Sequence, residues 1–131
     1  MNHEELLIKK FIHPDRQERF LALLAKQNGR EKLTDLLAHR VELNPRYATK
    51  VPANQQSAEG IEKLLKANGA SPTCYLFSED SNLDQREMQL TEALREVVGR
   101  GMGTFVSCIP GRLAYFESED IGERYILWAA A

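Results

Sequence analysis

The chain has no lysine after Lys66. Residues 67–131 carry five arginines against ten acids, whereas residues 1–66 carry twelve cations against nine acids. A nuclease that pairs two carboxylates with a nearby lysine is therefore disfavoured in the carboxyl-terminal half. A surplus of three positive charges in the other half is too small to signal nucleic-acid binding by itself. The split fits an acidic and a basic face, or simply lysine-bearing helices followed by strands that use lysine less.

Other absences exclude further classes. No run of residues approaches the ~18 apolar positions of a membrane span, so no membrane partner is expected. The opening MNHEELLIKKFIHPDRQERF carries acids and no long apolar core, and does not read as a secretory signal. Cys74 and Cys108 stand 34 residues apart, and His3, His13 and His39 share no ligand spacing, so no zinc pattern, metal or cofactor is expected. Two thiols without an export signal predict a reduced, cytoplasmic protein. GRGMGT follows a helical pattern instead of opening one, which suits helix-exit glycines and not a phosphate loop. No serine sits in a Gly-x-Ser-x-Gly turn.

What is present reads as one α+β domain over 1–131, with a helical region over 1–70 and a sheet-containing region over 71–131. About four amino-terminal helices are expected, followed by a β-α-β-β-β unit forming a small mixed or antiparallel sheet. The first helix has Leu7, Ile8, Phe11 and Ile12 at helical spacing. The second starts at Pro14 and Asp15 and exits at Asn28-Gly29, with Phe20, Leu21, Leu23 and Leu24 as its stripe. The third carries Leu33, Leu36, Leu37 and Val41. The fourth is capped by Ser57 and holds Ile61, Leu64 and Leu65. Pro45 and Pro52 bracket a connection.

After Pro72, TCYLFS reads as a strand. A helix is expected from Ser81 or Asn82 to Val98, and TFVSCI, RLAYFE and RYILWA read as three more strands. The helices are expected to share a single core and to cover one face of the sheet. Sheet surface left bare by the later helix is expected to meet the amino-terminal helices or a second copy of the chain. Pro110 fixes φ near −65° and rules out a type I′ or II′ turn, so the bend is wider than two residues or is followed by a bulge. Leu113, Tyr115 and Glu117 share one strand face; Arg112, Ala114 and Phe116 share the other.

Several patterns invite chemistry. Ala25 and Gly29 have helix-turn-helix spacing, but Arg30, Glu31 and Lys32 stand where an apolar packing residue is needed, which favours an ordinary helical hairpin. Glu79, Asp80 and Asp84 follow the first strand; Glu117, Glu119 and Asp120 follow the third. Converging, they would resemble a Mg²⁺ site, although acids near a helix start also favour its dipole. Cys108 is the one candidate reactive thiol, yet it alternates with Val106 as a packing residue would and has only Arg112 as a nearby cation.

These readings predict a non-catalytic protein-interaction or regulatory module, whose partner is another protein or a second copy of the chain. Its candidate contact residues are Glu79, Asp80, Arg112, Tyr115, Glu117 and Asp120, at strand ends where partners arrive. One alternative is a small enzyme or ligand-binding domain around Arg112, with Cys108, Tyr115 and Glu117. Another is weak nucleic-acid binding through Arg16, Arg19, Lys26, Arg30, Lys32 and Arg40.

Overall fold

The computed structural model describes residues 2–39, 42–120 and 123–130, without the side chains of 37–39. Helix α1 (His3–Phe11) opens with the Asn2 side chain accepting the Glu4 amide and buries Leu7, Ile8 and Phe11. Helix α2 (Pro14–Ala25) has proline in its first turn and a His13 ring nitrogen accepting the Asp15 amide. Helix α3 (Arg30–His39) follows at once. A Cβ on Gly29 would stand 2.1 Å from the Leu23 carbonyl oxygen, so only glycine lets the chain turn this tightly against α2. Leu33 is buried and Leu36 partly buried; the expected Leu37 side chain, Val41 and Arg40 lie outside the described residues.

Beyond α3 the chain forms β1 (Ala48–Lys50), a 3₁₀ turn (Ala53–Gln55) and α4 (Ala58–Ala67), whose first turn is capped by Ser57 accepting the Gly60 amide. Then come β2 (Thr73–Ser78), β3 (Glu87–Gln89), α5 (Leu90–Val97), β4 (Thr104–Ile109), β5 (Leu113–Glu117) and β6 (Arg124–Trp128). The six strands lie in the order β1-β6-β5-β4-β2-β3, every neighbouring pair antiparallel. Among the described residues no helix is long and apolar enough to cross a membrane.

The α+β class, the four expected strands and the first four helices match the sequence reading; three expectations do not. The connection between Pro45 and Pro52 contains β1, a three-residue edge that exists because β6 offers it unpaired backbone groups. The helix expected from Ser81 begins only at Leu90. Residues 79–86 instead make a wide hairpin connection: the Asp80 carbonyl accepts the Leu83 and Asp84 amides, and Gln85 turns left-handed with φ 67°. Glu87–Gln89 then pair with β2. Ser81 and Asn82 cap nothing helical.

The third correction concerns the core. Alternation along the strands sends Cys74, Leu76, Val106, Leu113 and Tyr115 to the face covered by α4 and α5. It sends Phe77, Phe105, Ala114, Phe116 and Leu127 to the face covered by α1, α2 and α3. The molecule is thus a three-layer sandwich with two apolar clusters, not one shared core beneath one layer of helices. Each fully buried leucine or phenylalanine contributes about 1.5–3 kcal/mol of transfer free energy. Strand β1 sits where the chain crosses from the α3 side to the α4 side.

The β4–β5 connection is wider than two residues, the first of the two alternatives for its proline, and the bulge lies in the strand before Pro110 and not after it. Gly111 has φ 70° and the Arg112 amide donates to the Ile109 carbonyl, at 2.9 Å, closing a turn with Pro110 and Gly111 at its centre. Ser107 pairs with Ala114 but Ile109 with Leu113, so Cys108 is the extra residue of a bulge.

Candidate functional site

Strands β2 and β5 both run antiparallel to the β4 between them, so they point the same way. Their carboxyl ends bring Glu79, Asp80, Glu117, Glu119 and Asp120 to one end of the sheet. Arg112 opens β5 at the opposite end, ~17 Å away at 3.3 Å per residue. The six residues singled out from the sequence therefore occupy two separate regions.

Glu117 and Tyr115 face the α4–α5 side and are spent on the fold. Glu117 is 1% exposed. Its carboxylate accepts the Gly99 amide at 3.1 Å, the Gly101 amide at 3.0 Å and the Tyr115 hydroxyl at 2.7 Å, and Arg124 on the paired strand stands 3.8 Å away. Burial, reinforced by the Glu117 charge, holds the Tyr115 hydroxyl well above the usual phenol range. These two residues tie the loop after α5 to the sheet and present nothing to a partner.

The other acids divide by role. Asp84 leaves the expected cluster to pair with Arg30: the guanidinium donates two hydrogen bonds to Asp84, both 2.8 Å, and two to Glu4, both 2.7 Å. Tyr75 donates to Glu4 at 2.6 Å and stacks on His3. Burial works against the Arg30 charge, but Glu4 and Asp84 outweigh it and hold the group protonated. Arg30 is thus an internal clamp among α1, α3 and the β2–β3 connection, unavailable to nucleic acid. Arg16 pairs with Glu42. Glu79 and Glu119 line an open cleft of about 610 Å³ with Asn28, Glu31, Lys32, Thr34 and Asp35. Glu79 accepts the Gly103 amide, Asp80 accepts the Asn82 amide, and the Asp120 amide donates to Ser118. Among the described residues, no group of three histidines, cysteines or acids is arranged to hold a metal ion.

Cys108 and Cys74 are both buried within the α4–α5 cluster. Burial pushes each thiol up to about 12. A nucleophilic cysteine needs the opposite shift.

The Arg112 end is built differently. Arg112 lies over the Trp128 ring, 5.9 Å from its centroid, and the Ala129 amide donates to the Arg112 carbonyl. The Trp128 amide in turn donates to the Tyr47 carbonyl at 3.0 Å, bringing Tyr47 to the same sheet end, with the Trp128 ring against the α4–α5 cluster and the Tyr47 ring against the opposite one. Lys10 and Arg46 each stand 5.5 Å from the Tyr47 ring centroid. Asn44 holds these segments together, donating its amide to the Phe11 carbonyl and its side chain to that of Lys10. Among the described residues none of the three cations takes part in an ion pair. Sequence reading reached Arg112 alone. Lys10, the Arg46–Tyr47 pair and Trp128 lie far apart in the chain, and the Asn44–Phe11 and Trp128–Tyr47 hydrogen bonds join them.

No family model matches the chain, and no curated protein or solved structure matches it either.

Proposed function

We propose that the protein is a non-catalytic binding module that receives an acidic segment of a partner protein at the Arg112 end of its sheet. The observation carrying this reading is that Arg112 on Trp128, and Lys10 and Arg46 on Tyr47, stand on the two faces of one sheet end without a carboxylate partner among the described residues. A ring under a guanidinium contributes about 0.5–1 kcal/mol at an exposed site and restricts the side chain before a ligand arrives. Planar guanidinium groups then match carboxylates by paired hydrogen bonds.

A short acidic segment fits better than a long polyanion. The chain has a net charge of −2, and the far end of the sheet carries Glu79, Asp80, Glu119 and Asp120. Nucleic acid, with a phosphate charge every ~1.7 Å along a duplex, would bring that repulsion into play. A second copy of the chain offers such an acidic end too. The non-catalytic aspect of the reading is supported by thiols held protonated and by Tyr115 and Glu117 engaged within the fold. A reducing compartment, the cytoplasm, suits two thiols that stand unbonded.

Fluorescence anisotropy with a labelled Glu/Asp-rich peptide of about twelve residues tests the reading. The wild type binds, and joint Arg46→Glu and Arg112→Glu substitution weakens binding by about tenfold or more without changing the melting temperature. Reversal at Arg19 and Lys26 leaves affinity unchanged. Equal binding by the double variant, no binding by the wild type, or preference for a single-stranded oligonucleotide overturns it.

A further inference from the structure

Cys74 and Cys108 are far apart in the chain, but the strand register brings them face to face. Tyr75↔Ser107 is the last pair of the β2–β4 register, and one further step along it sets Cys74 opposite Cys108, at the start of the β4 bulge. Both side chains lie in the α4–α5 apolar cluster, on one face of the sheet. The backbone hydrogen bonds fix which kind of pair this is. The Leu76 amide donates to the Arg86 carbonyl at 2.9 Å, and the Leu76 carbonyl accepts from Gln85 at 2.8 Å, so both polar groups of Leu76 point toward β3. Alternation turns those of Tyr75 toward β4 and those of Cys74 back toward β3, where Cys74 pairs with Met88.

Cys74 and Cys108 therefore meet at a position without β2–β4 hydrogen bonds. Opposed Cα atoms at such positions lie ~4.5 Å apart, inside the 4.4–6.8 Å span that a disulfide bridges. Burial raises the Cys108 thiol, and the charge of a Cys74 thiolate raises it further, in keeping with facing positions. The bulge at Cys108 adds a locally adjustable backbone on the β5 side.

We propose that Cys74 and Cys108 form a latent cross-strand dithiol that closes to a disulfide between β2 and β4. With a small disulfide oxidant such as oxidised glutathione, one protein thiolate attacks a glutathione sulfur and releases one glutathione thiol. The second protein thiolate attacks the protein sulfur of that mixed disulfide and releases the other. Two protein thiols and one glutathione disulfide thus become one protein disulfide and two glutathione thiols, with two electrons passing to glutathione. Because both thiols are buried and protonated, closure in the folded protein is slow. It is fast while the chain is folding and the sulfurs are exposed.

The test equilibrates the full chain with glutathione buffers of increasing oxidised fraction, once by refolding into native buffer and once in urea. Free thiols are then trapped by alkylation and masses read on the intact protein. In native buffer the product is a single species about 2 Da lighter, with a peptide linking Cys74 to Cys108, and its midpoint lies at an oxidant ratio about tenfold lower than in urea or further. Cys74→Ser and Cys108→Ser chains each give only free thiol or a glutathione adduct. Midpoints that coincide, a native form harder to oxidise than the unfolded one, or native protein keeping both thiols at every ratio overturns the proposal.

Discussion

Arg30 and Glu4 face each other through two parallel hydrogen bonds of 2.7 Å, with the Glu4 side chain 4% exposed. The same guanidinium grips Asp84 and lies 5.0 Å from the centroid of the Phe77 ring. This one side chain fastens α1 and the β2–β3 connection to the first turn of α3. Removing one member of a buried pair leaves the other charged and dry, which costs about 3–5 kcal/mol. Arg30→Ala is expected near the lower end, about 3 kcal/mol, because the guanidinium keeps some contact with water. Urea denaturation measures the loss, and acidic-peptide affinity of the folded variant stays unchanged.

Tyr115 donates to a carboxylate that also receives two loop amides. A hydrogen bond to a charged group contributes about 1.5–3 kcal/mol. Tyr115→Phe is expected to lower stability by about 1.5 kcal/mol in the same denaturation measurement. Glu117→Ala removes the acceptor for all three donors, and amide exchange at Gly99 and Gly101 should rise well above that of the Tyr115→Phe chain.

His3 gives the fold a pH dependence of definite sign. Its ring stacks on Tyr75 and its Nδ1 meets the Ser107 hydroxyl at 2.7 Å. Burial holds its pKa below the ordinary 6.5, partly offset by Glu87 and Glu4. The unfolded chain therefore binds the proton more readily. The contribution of neutral His3 is full above pH 6.5 and declines as pH falls from there toward the folded-state value. Urea midpoints at about pH 7.5 and about pH 5.5 should differ more for the wild type than for His3→Phe; an equal difference contradicts this sign.

Local signals carried most of the strands and the amino-terminal helices. TCYLFS, TFVSCI, LAYFE and RYILW are short apolar runs between turn residues, and Ser57 and Pro14 mark helix starts by their own chemistry. Strand β3 was illegible for a physical reason. Leu83 and Leu90, seven residues apart, fit a helical stripe as well as they fit a turn and a strand end, and the choice is made by the β2 edge. The site was less legible still. Arg112 stood out as a lone cation beside strands, whereas its aromatic platform and two companions come from three other segments. Glu117 looked accessible because it precedes a polar loop, but strand parity turns it inward beside Tyr115.

The single tryptophan of the chain lies under Arg112, so its emission reports on the proposed contact surface directly. Titration of the Glu/Asp-rich peptide into wild-type protein, followed by Trp128 fluorescence at low salt, is the decisive measurement. The account predicts a saturable change that weakens as salt screens the charges and is lost in the Arg46→Glu/Arg112→Glu chain. Saturable peptide binding by another method with Trp128 emission unmoved, or the same signal in both chains, contradicts it.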